Sequence, residues 1–336
     1  MYRLGWPASV AHNQGLVNAN IFVPEENNLP SIPVIMMDDR VVQLGKRDSP
    51  WPDVIIFQRP LKDVLWQAIP LLRDQGIEVI VELDDNFHAI SPRNKAWTST
   101  TKDRRANLMR ACENASLVTV TTEALAEQYG AHGRVRVLPN YVPAFYLDMT
   151  ADKEALAPKV GWAGSVATHP DDLQAVGNSV AVALRAHPRW HFATVGTGVG
   201  VAKRLGLSPH HELLTTGWVA LKDYPGKLAA LDIGLAPLEH SAFNESKSWL
   251  KGLEYASVGV PFIATPTQPY RDLHAQGAGR LADSPKEWVY HLRALMKDQD
   301  LRKEEATRQQ KIVQNLTIEA NINKWVDAWT SVKGQT

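Results

Sequence analysis

The sequence predicts an α/β protein made of two doubly wound domains, each with a parallel sheet. Short apolar runs rich in Val and Ile alternate with helical patterns, which is typical of parallel sheets covered by helices. The length of 336 residues exceeds one ordinary hydrophobic core and suits two domains. A content of 44% hydrophobic and 21% charged residues is that of a globular protein, so extensive disorder is not expected.

The alternation runs through two cycles separated by a polar stretch with prolines, residues 139–153. The first cycle predicts strands at residues 32–37, 54–57, 77–83, 117–121 and 135–138, and the second predicts strands at residues 159–163, 191–195, 212–216, 232–237 and 261–265. Helices are predicted at residues 61–74, 102–115, 171–186, 222–231 and 246–257. The chain should therefore divide into domains at residues 1–150 and 151–315, followed by a terminal helix at residues 316–336.

Charge and cysteine content narrow the classes of function. The formal net charge is zero, so a nucleic-acid role would have to rest on a local patch. Residues 93–110 hold such a basic surplus, and a solvated helix face is its competing interpretation. No apolar run reaches the roughly 18 residues of a membrane span, and the amino terminus lacks a signal-peptide core. With Cys112 as its single cysteine, the chain is expected to be cytoplasmic and free of intramolecular disulfides.

Polar loops follow two of the predicted strands, at the edge where open parallel sheets bind ligands. Asp84, Asp85 and His88 follow the strand at 77–83. Adjacent carboxylates there can bind a metal, accept hydrogen bonds from sugar hydroxyls or act as a base, although capping of a turn is equally compatible. Gly164 and Ser165 follow the strand at 159–163. A glycine there lets a phosphate approach the backbone, and an ordinary strand-to-helix turn is the alternative.

Residues 232–273 combine a strand, a polar loop, a helix and a second strand, as in a βαβ unit. The loop holds Glu239, His240, Phe243 and Asn244. The helical pattern puts Ser246, Lys247 and Ser248 in the first turn and aligns Lys247, Lys251 and Glu254 on one face. Because a cation in the first turn is unfavourable unless an anion binds there, the pattern predicts an anion site. A surface lysine and a solvated histidine are the alternatives.

Together these loops resemble the family-4-type glycosyltransferases of the GT-B fold. The resemblance rests on motifs in order between residues 53 and 273: Leu83-Asp84-Asp85, Gly161-Trp162-Ala163-Gly164-Ser165 with His169 and Asp172, Lys247-Ser248 with Lys251 and Glu254-Tyr255-Ala256, and Gly259-Val260-Pro261. It implies two Rossmann-like domains facing a central cleft. It also implies a retaining, metal-independent transfer from a nucleotide-diphosphate sugar as co-substrate, without a cofactor.

The resemblance also implies roles for single residues. Glu254 matches the second glutamate of the family's Glu-x7-Glu motif, which holds the donor ribose, whereas Ser246 stands where the first glutamate is expected. Lys247 and Ser248 match the diphosphate position, opposite the loop of Gly164 and Ser165. The remaining donor-binding candidates are His169, Gly217, Glu239, His240, Phe243, Asn244 and Lys251. The catalytic candidates are Asp84, Asp85, His88 and Lys247, of which the first three could supply the base of an inverting reaction.

Several alternatives stay open at this stage. A sugar-nucleotide epimerase of the same fold and a non-catalytic nucleotide-sugar-binding module fit the same motifs, and the basic stretch at 93–110 makes DNA a further candidate acceptor. The sequence does not choose between glycan, lipid-linked, protein and DNA acceptors, nor does it give the sugar, the nucleotide or the oligomeric state. Residues 2–7 resemble the segment that follows the family's first strand, so that strand is expected to be missing. The terminal helix with Trp325 and Trp329 is expected to pack against the first domain.

Overall fold

The computed structural model describes residues 1–21, 32–47, 49–151, 157–197, 200–208, 212–215 and 217–333. The chain forms two compact units. The first comprises Met1–Ile90, Trp97–Asn140 and Asn321–Thr336, and the second comprises Ser91–Ala96 and Tyr141–Ala320. None of the described helices is long and apolar enough to cross a membrane.

The first unit contains a parallel sheet in the order β3-β4-β5-β6 and a separate two-stranded sheet. Its strands are β1 (Val34–Met37), β2 (Arg40–Leu44), β3 (Val54–Gln58), β4 (Glu78–Leu83), β5 (Leu117–Val120) and β6 (Val135–Val137). Its helices are α1 (Gly5–Asn13), α2 (Asp63–Asp74), α3 (Lys102–Asn114) and α4 (Glu123–Tyr129). Every residue of β4 is buried, as expected for a central parallel strand covered on both faces.

The sequence predicted that the strand at residues 32–37 belongs to the parallel sheet, and this prediction is wrong. The strand forms β1, which pairs antiparallel with β2 and does not join the parallel sheet. Asp38 and Asp39 turn the chain with φ of 45° and 59°, the left-handed geometry of a two-residue hairpin. The apolar run was visible in the sequence, whereas the turn that gives it a local partner was overlooked.

A buried ion pair ties the amino terminus to the sheet of the first unit. Arg3 and Glu82 are only 3% and 1% exposed. The Arg3 guanidinium donates to both carboxylate oxygens of Glu82 at 2.7 and 3.0 Å, and to the carbonyl oxygen of Leu138 at 2.6 Å. The hydroxyl of Thr119 donates to the same carboxylate. Burial raises the pKa of Glu82, although the charge and hydrogen bond of Arg3 oppose this shift.

The second unit is a six-stranded parallel sheet in the order β12-β11-β10-β7-β8-β9. Its strands are β7 (Lys159–Ser165), β8 (His191–Thr197), β9 (Glu212–Thr215), β10 (Ile233–Ala236), β11 (Phe262–Ala264) and β12 (Arg280–Leu281). The helices from the second unit to the end of the chain are α5 (Ser179–Ala186), α6 (Val201–Arg204), α7 (Tyr224–Ala229), α8 (Ala242–Glu245), α9 (Leu250–Ser257), α10 (Gln268–Ala275), α11 (Pro285–Lys297), α12 (Gln299–Val313) and α13 (Ile318–Thr330). The strand order reverses between β7 and β10, which makes their carboxyl ends the topological switch point where ligands bind.

Some predicted boundaries reach residues that the structure does not describe. Thr216, the last residue of the strand predicted at 212–216, lies outside the described residues, as do residues 22–31 of the loop region near the amino terminus, residues 152 and 153 of the predicted linker and residues 334–336 of the predicted terminal helix. Trp325 and Trp329 on α13 are both buried, which agrees with their spacing for one face of a helix.

The helix predicted at residues 246–257 begins only at Leu250, as α9, and the separate one-turn helix α8 precedes it. Ser241 caps α8 by accepting a hydrogen bond from the backbone N–H of Asn244 at 3.2 Å, and α8 ends at Ser246 after one turn. Lys247 and Ser248 therefore lie between the two helices. The prediction that Lys247 occupies the first turn of a helix is wrong. The helix dipole therefore gives no reason to expect an anion at Lys247.

The side chain of Tyr255 ties helix α9 to two strands at the switch point. The hydroxyl of Tyr255 accepts a hydrogen bond from the backbone N–H of Ala163 in β7 at 2.9 Å and donates one to the carbonyl of Leu235 in β10 at 3.1 Å. The ring lies against Gly234, where an added Cβ would come within 2.6 Å of a ring carbon. Because only glycine fits beneath this ring, the helix sits close to both strands.

Candidate functional site

A hydrogen-bond network joins the loop after β7 to the loop after β10. The Nδ1 of His169 lies 2.7 Å from Oδ2 of Asp172. The Oδ1 of Asp172 accepts hydrogen bonds from the side-chain amide of Asn244 at 2.6 Å and from the backbone N–H of Glu239 at 3.3 Å. The backbone N–H of His169 donates to the carbonyl of Ser165 at 2.9 Å. The predicted residues His169, Asn244 and Ser165 are therefore brought together, with Asp172 at the centre.

The protonation of this network follows from burial and charge. Burial lowers the pKa of His169, and the positive charges of Lys251 and Lys247 lower it further, against the opposing effect of Asp172. Burial alone would raise the pKa of Asp172, but its hydrogen bonds to His169, Asn244 and the backbone lower it overall. A neutral imidazole that donates through Nδ1 to an ionised carboxylate satisfies both shifts.

Two lysines bring positive charge to the end of β7. The Nζ of Lys251 bonds to the carbonyl oxygen of Ala163 and lies 5.5 Å from the ring centroid of Trp162. Burial lowers the pKa of Lys251, while the negative charges of Glu254 and Asp172 oppose the shift. The Nζ of Lys247 lies 4.3 Å from the ring centroid of Phe243. An anion bound at this edge of the sheet would be stabilised by both cations.

Glu254 lies one turn along α9 from Lys251 and is 7% exposed. Its Oε2 accepts a hydrogen bond from the hydroxyl of Tyr224 at 3.1 Å. Burial and the negative charge of Glu254 raise the pKa of Tyr224 well above its usual value, which keeps the phenol protonated as a donor. Sequence reasoning missed Tyr224, because its only signal was a tyrosine at the start of a helical pattern thirty positions away from its partner.

The serines predicted around the donor have different surroundings. Ser246 is 3% exposed, and its hydroxyl donates back to the carbonyl of Ala242 in α8 at 2.9 Å. The Oγ of Ser165 accepts a hydrogen bond from the hydroxyl of Thr197 at 2.7 Å. The Oγ of Ser248 is 3.4 Å from the N–H of Leu250, at the start of α9.

Two glycines complete the predicted donor loops. Gly164 packs against Trp162, since an added Cβ would lie 2.7 Å from a ring carbon. Gly217 follows β9 with φ of 69°, where glycine avoids the strain that a side chain would bring. The prediction that Gly164 and Ser165 follow the strand is wrong, because β7 extends through both of them, whereas Gly217 lies beyond the end of β9.

His240 is held between two carboxylates. Its Nδ1 lies 3.2 Å from Oε1 of Glu245, and its Nε2 lies 2.5 Å from Oδ1 of Asp283. The hydrogen bonds to Asp283 and Glu245 raise the pKa of His240 above its usual 6.5. Glu245, one residue before the position where the resemblance predicts a glutamate, is thus engaged with His240.

A proton NMR titration should therefore give His240 a pKa above 6.5, and Asp283→Asn should lower it. His187 provides a matched control, because burial lowers its pKa. Since the folded pKa of His240 is raised, its contribution to stability is present below the unfolded pKa and is lost as the pH rises through the folded pKa. A titration midpoint for His240 at or below that of His187 would contradict the imidazolium between two carboxylates.

The catalytic candidates of the first unit follow β4. Both Asp84 oxygens accept hydrogen bonds from the guanidinium of Arg59, at 2.7 and 2.5 Å, and Asp85 lies 3.9 Å from it. Arg59 holds an unusual left-handed backbone with φ of 53°. The Nδ1 of His88 lies 3.3 Å from the hydroxyl of Tyr129, and burial and the charge of Arg105 lower the pKa of His88. The sequence did not reveal the pairing with Arg59, which follows a different strand.

The basic stretch at residues 93–110 is divided between the two units. Arg93 belongs to the second unit, where it pairs with Asp171 at 2.9 Å. Arg105 and Arg110 belong to the first unit, each 5.0 Å from the ring centroid of a tryptophan. Within the described part of the chain, no group of three His, Cys, Asp or Glu side chains is arranged to hold a metal ion.

Residues 157–298 match the family model described as Glycosyl transferases group 1. Over these residues, in the second unit, the chain is similar to the group 1 glycosyltransferases. A comparison with curated proteins gives no match.

Solved structures share the fold of this chain. HepE of Anabaena, in complex with UDP and glucose, superposes with a TM-score of 0.61 at 18% identity, over 83% of this chain and 77% of that chain. Sucrose-phosphate synthase of Thermosynechococcus elongatus gives a TM-score of 0.63 at 16% identity, over 84% and 74% of the two chains. The chain therefore has the GT-B fold, as the sequence motifs implied.

Proposed function

We propose that the protein transfers a sugar from a uridine diphosphate sugar to an acceptor hydroxyl, by a retaining and metal-independent reaction. One observation carries the proposal: Lys247, Lys251 and Glu254 come together at the switch point of the group 1 domain. The structures of HepE with UDP and glucose, and with UDP-glucose, make uridine diphosphate sugars the first donors to test.

In this proposal Glu254 accepts hydrogen bonds from the ribose hydroxyls, and the hydroxyl of Tyr224 fixes its carboxylate. Lys247 and Lys251 lie at the diphosphate, and the loop of Gly164 and Ser165 closes on it from β7. Helix α9 holds Lys251 and Glu254 one turn apart, so the spacing between the two contacts is set by the helix.

Negative charge develops on the leaving diphosphate during the reaction, where the two lysines are proposed to lie. The bond between the anomeric carbon and the diphosphate oxygen breaks, and its electron pair stays on the diphosphate. The acceptor oxygen bonds to the anomeric carbon, and its proton passes to a phosphate oxygen of the leaving group. Because the diphosphate becomes more negative in the transition state, nearby lysines stabilise that state more than the bound donor.

The surroundings of Asp84 support retention over inversion. An inverting transfer needs a carboxylate or imidazole that can accept the acceptor proton. Both oxygens of Asp84 are instead engaged by Arg59. In a retaining transfer the leaving phosphate accepts that proton, so this role does not fall to Asp84.

The test is incubation of the purified protein with a panel of nucleotide-diphosphate sugars, with and without acceptor extracts and with EDTA. We expect the protein to release nucleoside diphosphate from the accepted donor, and we expect this release to continue in the presence of EDTA. The product should retain the anomeric configuration of the donor. Glu254→Gln should raise the KM for the donor about tenfold, since one charged hydrogen-bond acceptor is lost. Glu245→Gln is a matched control outside the ribose contact.

Other outcomes separate the alternative functions. Conversion of the donor alone into an isomeric sugar would identify an epimerase. Donor binding without turnover under any acceptor would identify a binding module. Steeply salt-dependent binding of duplex DNA would favour a DNA acceptor. No binding of any nucleotide sugar would overturn the assignment of the site.

The cysteine chemistry supports a further proposal, that the enzyme works in the cytoplasm. Cys112 is free and buried, and burial raises the pKa of its thiol to about 12. With one cysteine in its sequence the chain forms no intramolecular disulfide, as is usual for proteins of a reducing compartment.

A further inference from the structure

One ring nitrogen of His169 is open to solvent and unused. The Nδ1 of the ring lies 2.7 Å from Oδ2 of Asp172. Among the residues that the structure describes, Nε2 has no hydrogen-bond partner, and it is not one of the unpartnered atoms that are shut off from solvent. The side chain as a whole is 22% exposed. Nε2 is therefore the atom that this ring offers to a ligand.

Asp172 fixes the direction in which the ring points. Its Oδ1 accepts hydrogen bonds from the side-chain amide of Asn244 at 2.6 Å and from the backbone N–H of Glu239 at 3.3 Å. The carboxylate is thus held by the loop after β10, and its second oxygen faces the imidazole. Because Nδ1–H donates to this carboxylate, the lone pair of the neutral ring is on Nε2. Nε2 can therefore take up a proton without any movement of the ring.

His169 lies beside the two lysines of the proposed diphosphate site. The Nζ of Lys251 bonds to the carbonyl oxygen of Ala163 in β7. The backbone N–H of His169 donates to the carbonyl oxygen of Ser165, two residues further along the same strand. Residues two apart on a strand are separated by about 7 Å. The positive charges of Lys251 and Lys247 both act on the imidazole, so a phosphate that contacts the lysines also comes close to His169.

The charges around His169 decide when its ring is protonated. Burial and the two lysines lower its pKa, while Asp172 opposes this shift, so the ring is neutral at neutral pH in the free protein. Further charged side chains adjoin this loop, namely Arg204, Asp171, Arg93 and Glu239. The phosphates of a donor bring negative charge to the lysines and to Nε2. Binding therefore raises the pKa of His169.

We propose that His169 is a third contact of the donor diphosphate, which takes up one proton from water as the donor binds and donates a hydrogen bond from Nε2 to a phosphate oxygen. This inference rests on the proposed function, because it assigns the diphosphate to the end of β7. The proton stays on the ring during transfer and returns to water when the nucleoside diphosphate leaves. Asp172 is the positioning residue, since its carboxylate stabilises the imidazolium through Nδ1. The site gains this cation only when a diphosphate is there to pair with it.

The test is calorimetric titration of the full chain with UDP-glucose, UDP-galactose and UDP-N-acetylglucosamine, in buffers of different ionisation enthalpy. The diphosphate of a nucleotide sugar has no group that titrates near neutral pH, so proton uptake reports on the protein. Uptake of up to one proton per donor is expected. Because binding raises the pKa of His169, the affinity should be highest below the free pKa. It should fall by up to about tenfold per pH unit as the pH rises towards the bound pKa.

Three variants assign the proton. His169→Gln should abolish the uptake, flatten the pH dependence and weaken donor binding about tenfold at neutral pH, since a charge-assisted hydrogen bond is lost. Asp172→Asn keeps the shape of the side chain and removes its charge, and should also reduce the uptake. His187→Gln is the matched control. His187 follows the end of α5, and burial lowers its pKa too, but its replacement should change neither uptake nor affinity.

Different failures give different results. Donor binding without proton uptake would overturn this inference and leave the proposed function standing. Uptake that persists in His169→Gln would place the proton on another group, such as Lys251, and would also overturn it. If His169→Gln fails to fold, NMR titration of the wild-type histidines decides, because the absence of any imidazole whose pKa rises with bound donor would contradict the proposal. No binding of any nucleotide-diphosphate sugar would overturn the proposed function and this inference together.

Discussion

Replacing Lys247 with alanine is expected to lower kcat for sugar transfer by about 10²–10³-fold, with little change in the free energy of unfolding. The magnitude is that of removing one preorganised group that stabilises developing negative charge. The side chain is half-buried, lies over Phe243 and belongs to a segment between two helices, so its loss opens no cavity in the core. Steady-state kinetics with the accepted donor and urea denaturation measure the two effects.

Two controls separate charge from structure at Lys247. Lys247→Arg keeps the positive charge and should retain much of the activity, whereas Lys286→Ala removes an exposed lysine from α11 and should change nothing. Lys251→Ala is a less specific probe, because its Nζ also bonds to Ala163 and its removal would disturb the end of β7. A rise in KM at unchanged kcat for Lys247→Ala would mean that the lysine binds donor and transition state equally, which contradicts its proposed role.

Breaking the buried pair between Arg3 and Glu82 is expected to destabilise the first unit by about 3–5 kcal/mol. Arg3→Ala leaves a carboxylate that is 1% exposed without its main partner. It also removes the donor to the carbonyl of Leu138. Urea denaturation followed by tryptophan fluorescence measures the loss of unfolding free energy. The transition that shifts in the variant is assigned to the first unit.

Three controls test whether the effect comes from burying this ion pair: an exposed ion pair, a double variant without either charge, and a change of pH. Lys333→Ala breaks a pair with Asp53 whose side chains are 51% and 76% exposed, and should cost less than about 1 kcal/mol. Arg3→Met with Glu82→Gln removes both charges and should cost less than Arg3→Ala alone. Because burial raises the pKa of Glu82, the deficit of Arg3→Ala should shrink as the pH falls and the carboxyl becomes protonated. A deficit below 1 kcal/mol for Arg3→Ala would contradict the structural importance of the pair.

The sequence predicted those parts of the fold that are encoded locally. Alternating strands and helices give β3 to β11 within a few residues, because each buried parallel strand is a short apolar run, whereas the two-residue strand β12 was not predicted. The group 1 family model and the GT-B fold confirm the family-level resemblance. The individual donor and catalytic residues remain predictions, as do retention and independence from metal.

What the sequence could not supply depends on partners that are distant along the chain. The pairing of Asp84 with Arg59 joins two strands, and that of Glu254 with Tyr224 joins two helices. Neither pair produces a recognisable spacing of residues in the sequence. The break at Ser246 was readable in principle, since Ser241 begins a helix of its own, but the longer apolar periodicity of residues 246–257 concealed it.

The break between α8 and α9 has a consequence for how the enzyme could diversify. Lys251 and Glu254 move as one body with α9, which Tyr255 pins to two strands. Lys247 lies instead in the connecting segment of residues 246–249, which belongs to neither helix. Substitutions in that segment would therefore move the lysine proposed to contact the diphosphate, while Glu254, the proposed ribose contact, stays in place. Catalytic rate and nucleotide affinity would be free to evolve through different residues.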